Sequence, residues 1–311
     1  MIKQFEFGFG CASLSSLNSR KKSLEILSIA YDNDITHYDV ARLYGMGSTE
    51  NILGEFAKNK RDKISIATKF GLNPPSIGKS NAKLISIVKG VVNKMPGLKR
   101  RITDKVHSNL RTDFSVKNAN ASLERSLKEL GTHYIDYFLM HEALKDDIIN
   151  DELIIFLKKK KDEGKILEFG IASQLDKIGN NCSYFDESFI VFQFEDDLFN
   201  GKIKLRNSDD KLLITHSVLK SLNVLENKLD RCSKIELDSY SNALNLDLKE
   251  TGILPSLLLY ISSKVNASEI TLFSSTNCNH INNNIQNINR FKAINLNWQL
   301  CYEIMNKLIY E

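Results

Sequence analysis

Eight short apolar runs alternate with helix-patterned stretches along a chain of 311 residues. The runs are FEFGFG at 5–10, ITHYDV at 35–40, ISIATKF at 64–70, YIDYFLMH at 134–141, LEFGIAS at 167–173, FIVFQFE at 189–195, LLITHSVL at 212–219 and EITLFSS at 269–275. Strands that alternate with helices predict an α/β fold, and eight such repeats in this length predict a (β/α)8 TIM barrel. The rival is a doubly wound open sheet. It expects G-x-G-x-x-G after the first strand, whereas Gly8-Phe9-Gly10 runs on to Ser13. The helices between the runs carry start and stop signals. In SVKNANASLERSLKELG, Ser115 is an N-cap, Gly131 closes the helix, and Ala119, Leu123, Leu127 and Leu130 share one face. A second helix, IINDELIIFLKKKKDEGK, ends at Gly164.

Strand starts are mostly about 22 to 33 residues apart, with two wider gaps. About 70 residues separate the third and fourth starts, and about 57 the seventh and eighth. The expected barrel therefore has long loops after strands 3 and 7, at the face where active sites of such barrels lie. The first insertion, 72–114, carries nine Lys or Arg against Asp104 and Asp113. It reads either as a solvated lid or as an attraction for an anionic substrate. No Pro/Gly/Ser linker interrupts the chain, so residues 1–311 are expected to form one domain.

Hydrophobic residues make up 42%, enough for a full core, and the net charge of +4 gives no reason to expect a nucleic-acid partner. The run Lys158–Lys161 falls where a helix should end, and cations are favoured there by the helix dipole. Cysteines 11, 182, 232, 278 and 301 form neither a CxxC pair nor a metal set with histidine, so no metal is expected. No leader-like segment opens the chain, and no run approaches the roughly 20 apolar residues of a membrane span. A cytoplasmic location is the simplest expectation. Nothing in the pattern predicts an oligomeric state.

Against this apolar background, four polar residues stand at strand ends: Asp39 after ITHYD, Tyr44 five residues on, Lys69 in ISIATK, and His141 closing YIDYFLMH. Singly each has an ordinary explanation: a turn cap, a surface aromatic, a snorkelling lysine, a satisfied core histidine. In a barrel, strands 2, 3 and 4 are neighbours, so the four can converge. A buried ammonium needs a carboxylate partner. The same ammonium lowers the pKa of a nearby phenol, and the imidazole can orient a carbonyl oxygen beside it. The set suits carbonyl reduction with a phenol delivering the proton.

The segments GFGCAS, ITHYDVARLYGMGSTE, IATKFG and YIDYFLMH, in this order, resemble the aldo-keto reductase superfamily, and the resemblance runs from about residue 7 to 290. It implies that Tyr44 is the general acid, that Lys69 and Asp39 tune it, and that His141 orients the substrate carbonyl. It also implies a nicotinamide cofactor, NADP(H) or NAD(H), bound without a Rossmann fold. The fifth strand ends Gly170-Ile171-Ala172-Ser173 where the family has a G-x-S-N-like motif. Ser173 and Gln193 would then hold the carboxamide. His216 would take the place of a ring stacked on the nicotinamide, with Ser217 facing the pyrophosphate. Ser274, Ser275, Asn277, His280 and Asn284 would serve the adenine side. The cations that NADPH users carry near Ser274 and His280 are missing, which implies NADH or dual use. Substrate identity would come from the two long loops and from 290–311, with Phe291 and Trp298. The expected partner is a small-molecule carbonyl compound, with anionic and sugar-linked carbonyls among the candidates, and neither nucleic acid nor membrane. Two other functions fit such a barrel: a nucleotide-binding regulatory or redox-sensing subunit with little turnover, and a lyase or epimerase that uses bound NAD catalytically.

Overall fold

The computed structural model describes residues 6–72, 112–178, 187–195, 198–199, 211–265 and 269–310. The eight strands are β1 (Phe7–Gly10), β2 (His37–Asp39), β3 (Ser65–Phe70), β4 (Ile135–His141), β5 (Ile166–Ala172), β6 (Val191–Glu195), β7 (Leu212–His216) and β8 (Ile270–Phe273). All pair in parallel in sequence order, and β8 returns to β1 to close the barrel. The eight apolar runs are thus the eight strands, with ends that match or are trimmed by one to three residues, except that β5 begins one residue earlier, at Ile166. The largest trim is in LLITHSVL, where Ser217 takes a left-handed φ of 65° and Val218–Ser221 winds into a short 3-10 turn.

The helices are α1 (Arg20–Asp32), α2 (Ser48–Ala57), α3 (Val116–Leu130), α4 (Asp151–Asp162), α5 (Leu222–Arg231), α6 (Lys234–Leu244), α7 (Ile253–Val265), α8 (Cys278–Ala293) and α9 (Trp298–Tyr310). The capping signals held in α3: the Ser115 side chain accepts from the Asn118 amide, and Gly131 ends the helix with φ 62°. Its predicted face of Ala119, Leu123, Leu127 and Leu130 is buried. The lysines of 158–161 do sit at the end of α4, where Lys160 pairs with Glu163 and Lys161 with Glu168.

The segment after β7 is not a long loop. It holds α5, α6 and α7, because Leu225 and Leu229 repeat at helical spacing and α7 is buried along most of its length. Nearly all of the insertion after β3 lies outside the described residues. At its base, Leu72 and Thr112 pair in an antiparallel bridge.

Period-two alternation splits the strands into two faces. Outward residues such as Tyr38, Ile66, Phe138 and Met140 pack with the helices in the larger core. Ala67, Tyr137, Leu139, Ala172, Val191, Leu212, Ile214, Ile270 and Leu272 form a second apolar cluster. By the same alternation they lie on the barrel's inner face. Gly8 leaves room there: a Cβ would stand 2.7 Å from both His37 Cδ2 and Leu272 Cδ2. At Gly170 a Cβ would fall 1.8 Å from the Val191 carbonyl oxygen, so only glycine lets β5 lie beside β6. Among the described residues, no helix is long and apolar enough to cross a membrane.

Candidate active site

The parity that fills the barrel with apolar side chains also selects its polar rim. Continuing the inward series to the C-terminal strand ends reaches Asp39, Lys69, His141, Gln193 and His216. A cavity of about 870 Å³ opens over these ends, and all five side chains line it with Tyr44. Lys69 Nζ donates to both Asp39 carboxylate oxygens at 2.6 Å and to the Val40 carbonyl at 3.2 Å. Asp39 and Lys69 are almost fully buried. The ammonium stands 5.4 Å from the centroid of the Tyr44 ring, and the Tyr44 and His141 rings meet edge to face at 6.3 Å. The four residues expected to converge are therefore adjacent.

Burial opposes the charge on Lys69, but the Asp39 carboxylate and Tyr44 more than offset it, so its pKa lies above the ordinary value and it is an ammonium at neutral pH. Tyr44 differs from the expectation. Burial raises its pKa, and Asp39 and Cys11 add to the rise. Lys69 lowers it by charge and hydrogen bonding without cancelling the rise. The net direction is upward, so Tyr44 carries its proton at neutral pH. Burial also lowers the pKa of His216, and Lys69 adds to that effect.

The residues expected to hold a cofactor fall into two groups. Ser173, Gln193, His216, Ser217 and Ser274 line the cavity. The Ser173 hydroxyl donates to the Ala143 carbonyl at 2.7 Å, which leaves it only acceptor capacity toward a ligand. Gln193 Nε2 donates to Asp39 Oδ2 at 3.2 Å, while its Oε1 is buried without a partner among the described residues. His216 Nδ1 lies 2.9 Å from the Ser217 hydroxyl. The second group is not in the described cavity wall. The Ser275 hydroxyl bonds the backbone of Asn277, and Asn277 caps α8 through the Asn279 amide. His280 is exposed on α8. Asn284 is buried and accepts from Ser256 of α7 at 3.2 Å.

Phe291 and Trp298 are likewise absent from that wall. Phe291 is buried in the core against Tyr260, and Trp298 begins α9, which packs on α5 and α7.

Several wall residues escaped the sequence reading. Glu142 follows His141 with a φ of 57° and pairs with Lys177 at 2.5 Å, and Glu195 pairs with Lys220 at 3.0 Å. Glu195 was accessible by alternation, since it lies two residues past Gln193. Glu142 and Lys177 leave the strand pattern, and their pairing depends on how two loops approach. Among the described residues no cluster of His, Cys, Asp or Glu could hold a metal ion.

The model of the Aldo/keto reductase family matches residues 6–180. The chain is 30% identical over 168 residues to the Bacillus subtilis protein called uncharacterized oxidoreductase YqkF, covering 54% of this chain and 44% of that one. It is 28% identical over 177 residues to D-threo-aldose 1-dehydrogenase from Pseudomonas, covering 54% and 50%. The matched region thus spans half or less of these curated relatives. A solved aldo/keto reductase from Klebsiella pneumoniae, in complex with NADP and acetate, superposes with a TM-score of 0.63 at 16% identity, covering 91% of this chain and 85% of that one. That likeness is one of fold.

Proposed function

Because the chain belongs to the aldo/keto reductase family, we propose that it is a nicotinamide-dependent oxidoreductase that reduces the carbonyl of an aldehyde or ketone. One observation carries this reading: a protonated phenol, an ammonium locked to a carboxylate and an imidazole meet at the mouth of one cavity.

Tyr44 donates its proton to the carbonyl oxygen as negative charge develops there. Lys69 stabilises the phenolate left behind, and Asp39 holds the ammonium in place. His141 stands edge-on to the phenol, where it can orient the carbonyl oxygen toward Tyr44. A nicotinamide dinucleotide supplies the hydride in such chemistry. The residues present fit its amide end: Gln193 offers a buried acceptor oxygen at the cavity, suited to an N–H donor. Ser173, His216, Ser217 and Ser274 are the neighbouring candidates for holding it, and the Klebsiella relative was crystallised with NADP. Without a cation at Ser274 or His280, this chain should accept NADH as well as NADPH. Fluorescence titration tests that, and at least tenfold tighter NADPH binding would sink it.

For the substrate, a neutral, hydroxylated carbonyl compound is favoured over an anionic one. The two cations in the described cavity wall, Lys69 and Lys177, are each bonded to a carboxylate. Glu142 and Glu195 offer acceptors for hydroxyl groups. A sugar-like aldehyde or ketone matches that wall, and one relative is named for an aldose. The test is nicotinamide oxidation with a panel of small aldehydes, hydroxylated aldehydes and sugar phosphates, on wild type and Tyr44→Phe. Turnover that disappears in the variant supports the reading. Equal background rates in both would leave a nucleotide-binding protein without carbonyl chemistry.

A further inference from the structure

Behind the cavity lies a second buried ion pair that the proposed chemistry does not use. Glu50, in the first turn of α2, is fully buried, and Arg42 is 5% exposed. Arg42 Nη1 donates to Glu50 Oε2 at 2.7 Å. The other carboxylate oxygen accepts from Thr68 Oγ1 at 2.8 Å and from Ser126 Oγ of α3 at 2.6 Å. One acid thus joins β3, α2, α3 and the loop after β2. Thr68 is the residue before Lys69, and Arg42 lies between Asp39 and Tyr44.

Burying two charges is expensive, and well-packed apolar residues often serve stability equally well. The loop gives this pair a reason to exist. After Tyr44, three consecutive residues, Gly45, Met46 and Gly47, have φ values of 57°, 61° and 89°. A non-glycine residue in that conformation persists only where its surroundings impose it. The Arg42 guanidinium lies against this stretch, since a Cβ on Gly47 would stand 3.5 Å from Nη1 and 3.8 Å from Nη2. We propose that the Arg42–Glu50 pair is a positioning device: it clamps the loop of Tyr44 to the strand of Lys69 and so fixes the phenol over the ammonium. Neither Arg42 nor Glu50 lines the described cavity wall, which fits a role exerted through Tyr44 and Lys69.

The inference rests on Tyr44 as the acid, and the test separates the two. Arg42→Met should lower kcat about 100-fold, the scale of a misplacement near 1 Å. Affinity for the reduced cofactor, read by fluorescence, should stay within about twofold. The alkaline limb of carbonyl reduction should move upward, because a phenol that drifts from Lys69 loses the ammonium's pull. Arg42→Lys should restore part of the rate, and Thr68→Val, which removes one bond to Glu50, should cost several-fold. Arg20→Ala breaks an exposed pair between α1 and Glu55 of α2 and should change nothing. If Arg42→Met does not fold, the Thr68→Val profile decides. Unchanged kcat and pH limb would overturn the proposal. So would parallel loss of kcat and cofactor affinity, which is the mark of a loosened fold. Should the wild type turn over no carbonyl compound, the functional reading fails alone. Titration of the Tyr44 carbon resonance, assigned by Tyr44→Phe, in wild type and Arg42→Met then still decides the positioning.

Discussion

The rim over β2–β4 and the rim over β5–β8 hold their polar side chains in different ways. In the first, the groups satisfy one another: Lys69 with Asp39, Tyr44 over Lys69, His141 against Tyr44. Behind them, Glu50 collects three donors. In the second, the Ser173 hydroxyl is held by a backbone carbonyl, His216 by the adjacent Ser217, Ser274 is exposed, and Gln193 keeps one buried oxygen without a partner among the described residues. The two sides are joined by the Ser173 hydroxyl on the Ala143 carbonyl, by the Lys177–Glu142 pair and, deepest in the cavity, by Gln193 on Asp39. The first half is organised before any ligand arrives, whereas the second presents groups that a ligand must complete. The family match ends at residue 180, so it takes in the whole of the first half and only the beginning of the second.

If that contrast is right, damage to the first half should be severe and damage to the second graded. The largest effect is expected from Tyr44→Phe, which removes the proton but keeps the ring. A positioned acid contributes about 10²–10⁴-fold, so kcat for carbonyl reduction should fall by about that factor with cofactor affinity kept. A fall of less than tenfold would transfer the acid's role elsewhere. Because Tyr44 is pushed upward, oxidation of the alcohol, which needs the phenolate, should have a more alkaline optimum than reduction. Paired pH–rate profiles in the two directions check this.

Lys69→Met leaves the Asp39 carboxylate buried with only Gln193 as a side-chain partner. Breaking a buried pair on one side costs about 3–5 kcal/mol, which urea unfolding at pH 7 would read directly. A cost under about 1 kcal/mol would mean that water reaches Asp39 and that the first half is less closed than described.

The same half should also carry acid sensitivity. His37 lies one inward step below Asp39 and bonds the Ser65 hydroxyl at 2.7 Å. Burial lowers its pKa from 6.5 to about 4, with Asp39 opposing and Lys69 assisting. A depressed base binds its proton more weakly when folded than when unfolded. Stability is therefore full above pH 6.5 and falls as the pH drops toward 4. The loss is about 3 kcal/mol at the end of that window. His37→Gln should flatten this part of the pH–stability curve, and His216→Gln on the opposite rim should flatten it less.

The sequence exposed these two halves unequally, for physical reasons. Asp39, Lys69 and His141 were legible because a charge in an apolar strand must be answered, and strand parity says on which face. The caps of α3 were legible because Ser115 and Gly131 act within one turn of their own positions. Glu50 was not, since its three donors come from segments up to 76 residues away and meet only after α2 and α3 pack on β3. The upward shift of Tyr44 was hidden as well. The ammonium's pull follows once strands 2 and 3 are taken as barrel neighbours, whereas the larger effect of burial depends on how the closed barrel and its loops pack around the ring. Away from the rim, resemblance placed Asn284 at an adenine; that its Oδ1 also accepts from Ser256 between two helices was not legible, because the two meet only when α7 and α8 pack.

The smallest expected effect tests the bond between Gln193 and Asp39, one of those that join the halves. Gln193→Leu keeps the volume of the side chain while removing both its acceptor oxygen and its donation to Asp39. If Gln193 belongs to the ligand-completed half, the loss should appear as weaker binding of reduced cofactor, about tenfold for one hydrogen bond near 1.4 kcal/mol. Asp39 would still accept twice from Lys69, so kcat at saturating cofactor should change by less than about threefold. The opposite split, with affinity kept and kcat lowered, would place Gln193 in the first half as a third support of the Asp39–Lys69 pair. The boundary between the two rims would then fall after β6 rather than after β4. Fluorescence titration beside steady-state kinetics on this one variant distinguishes the two.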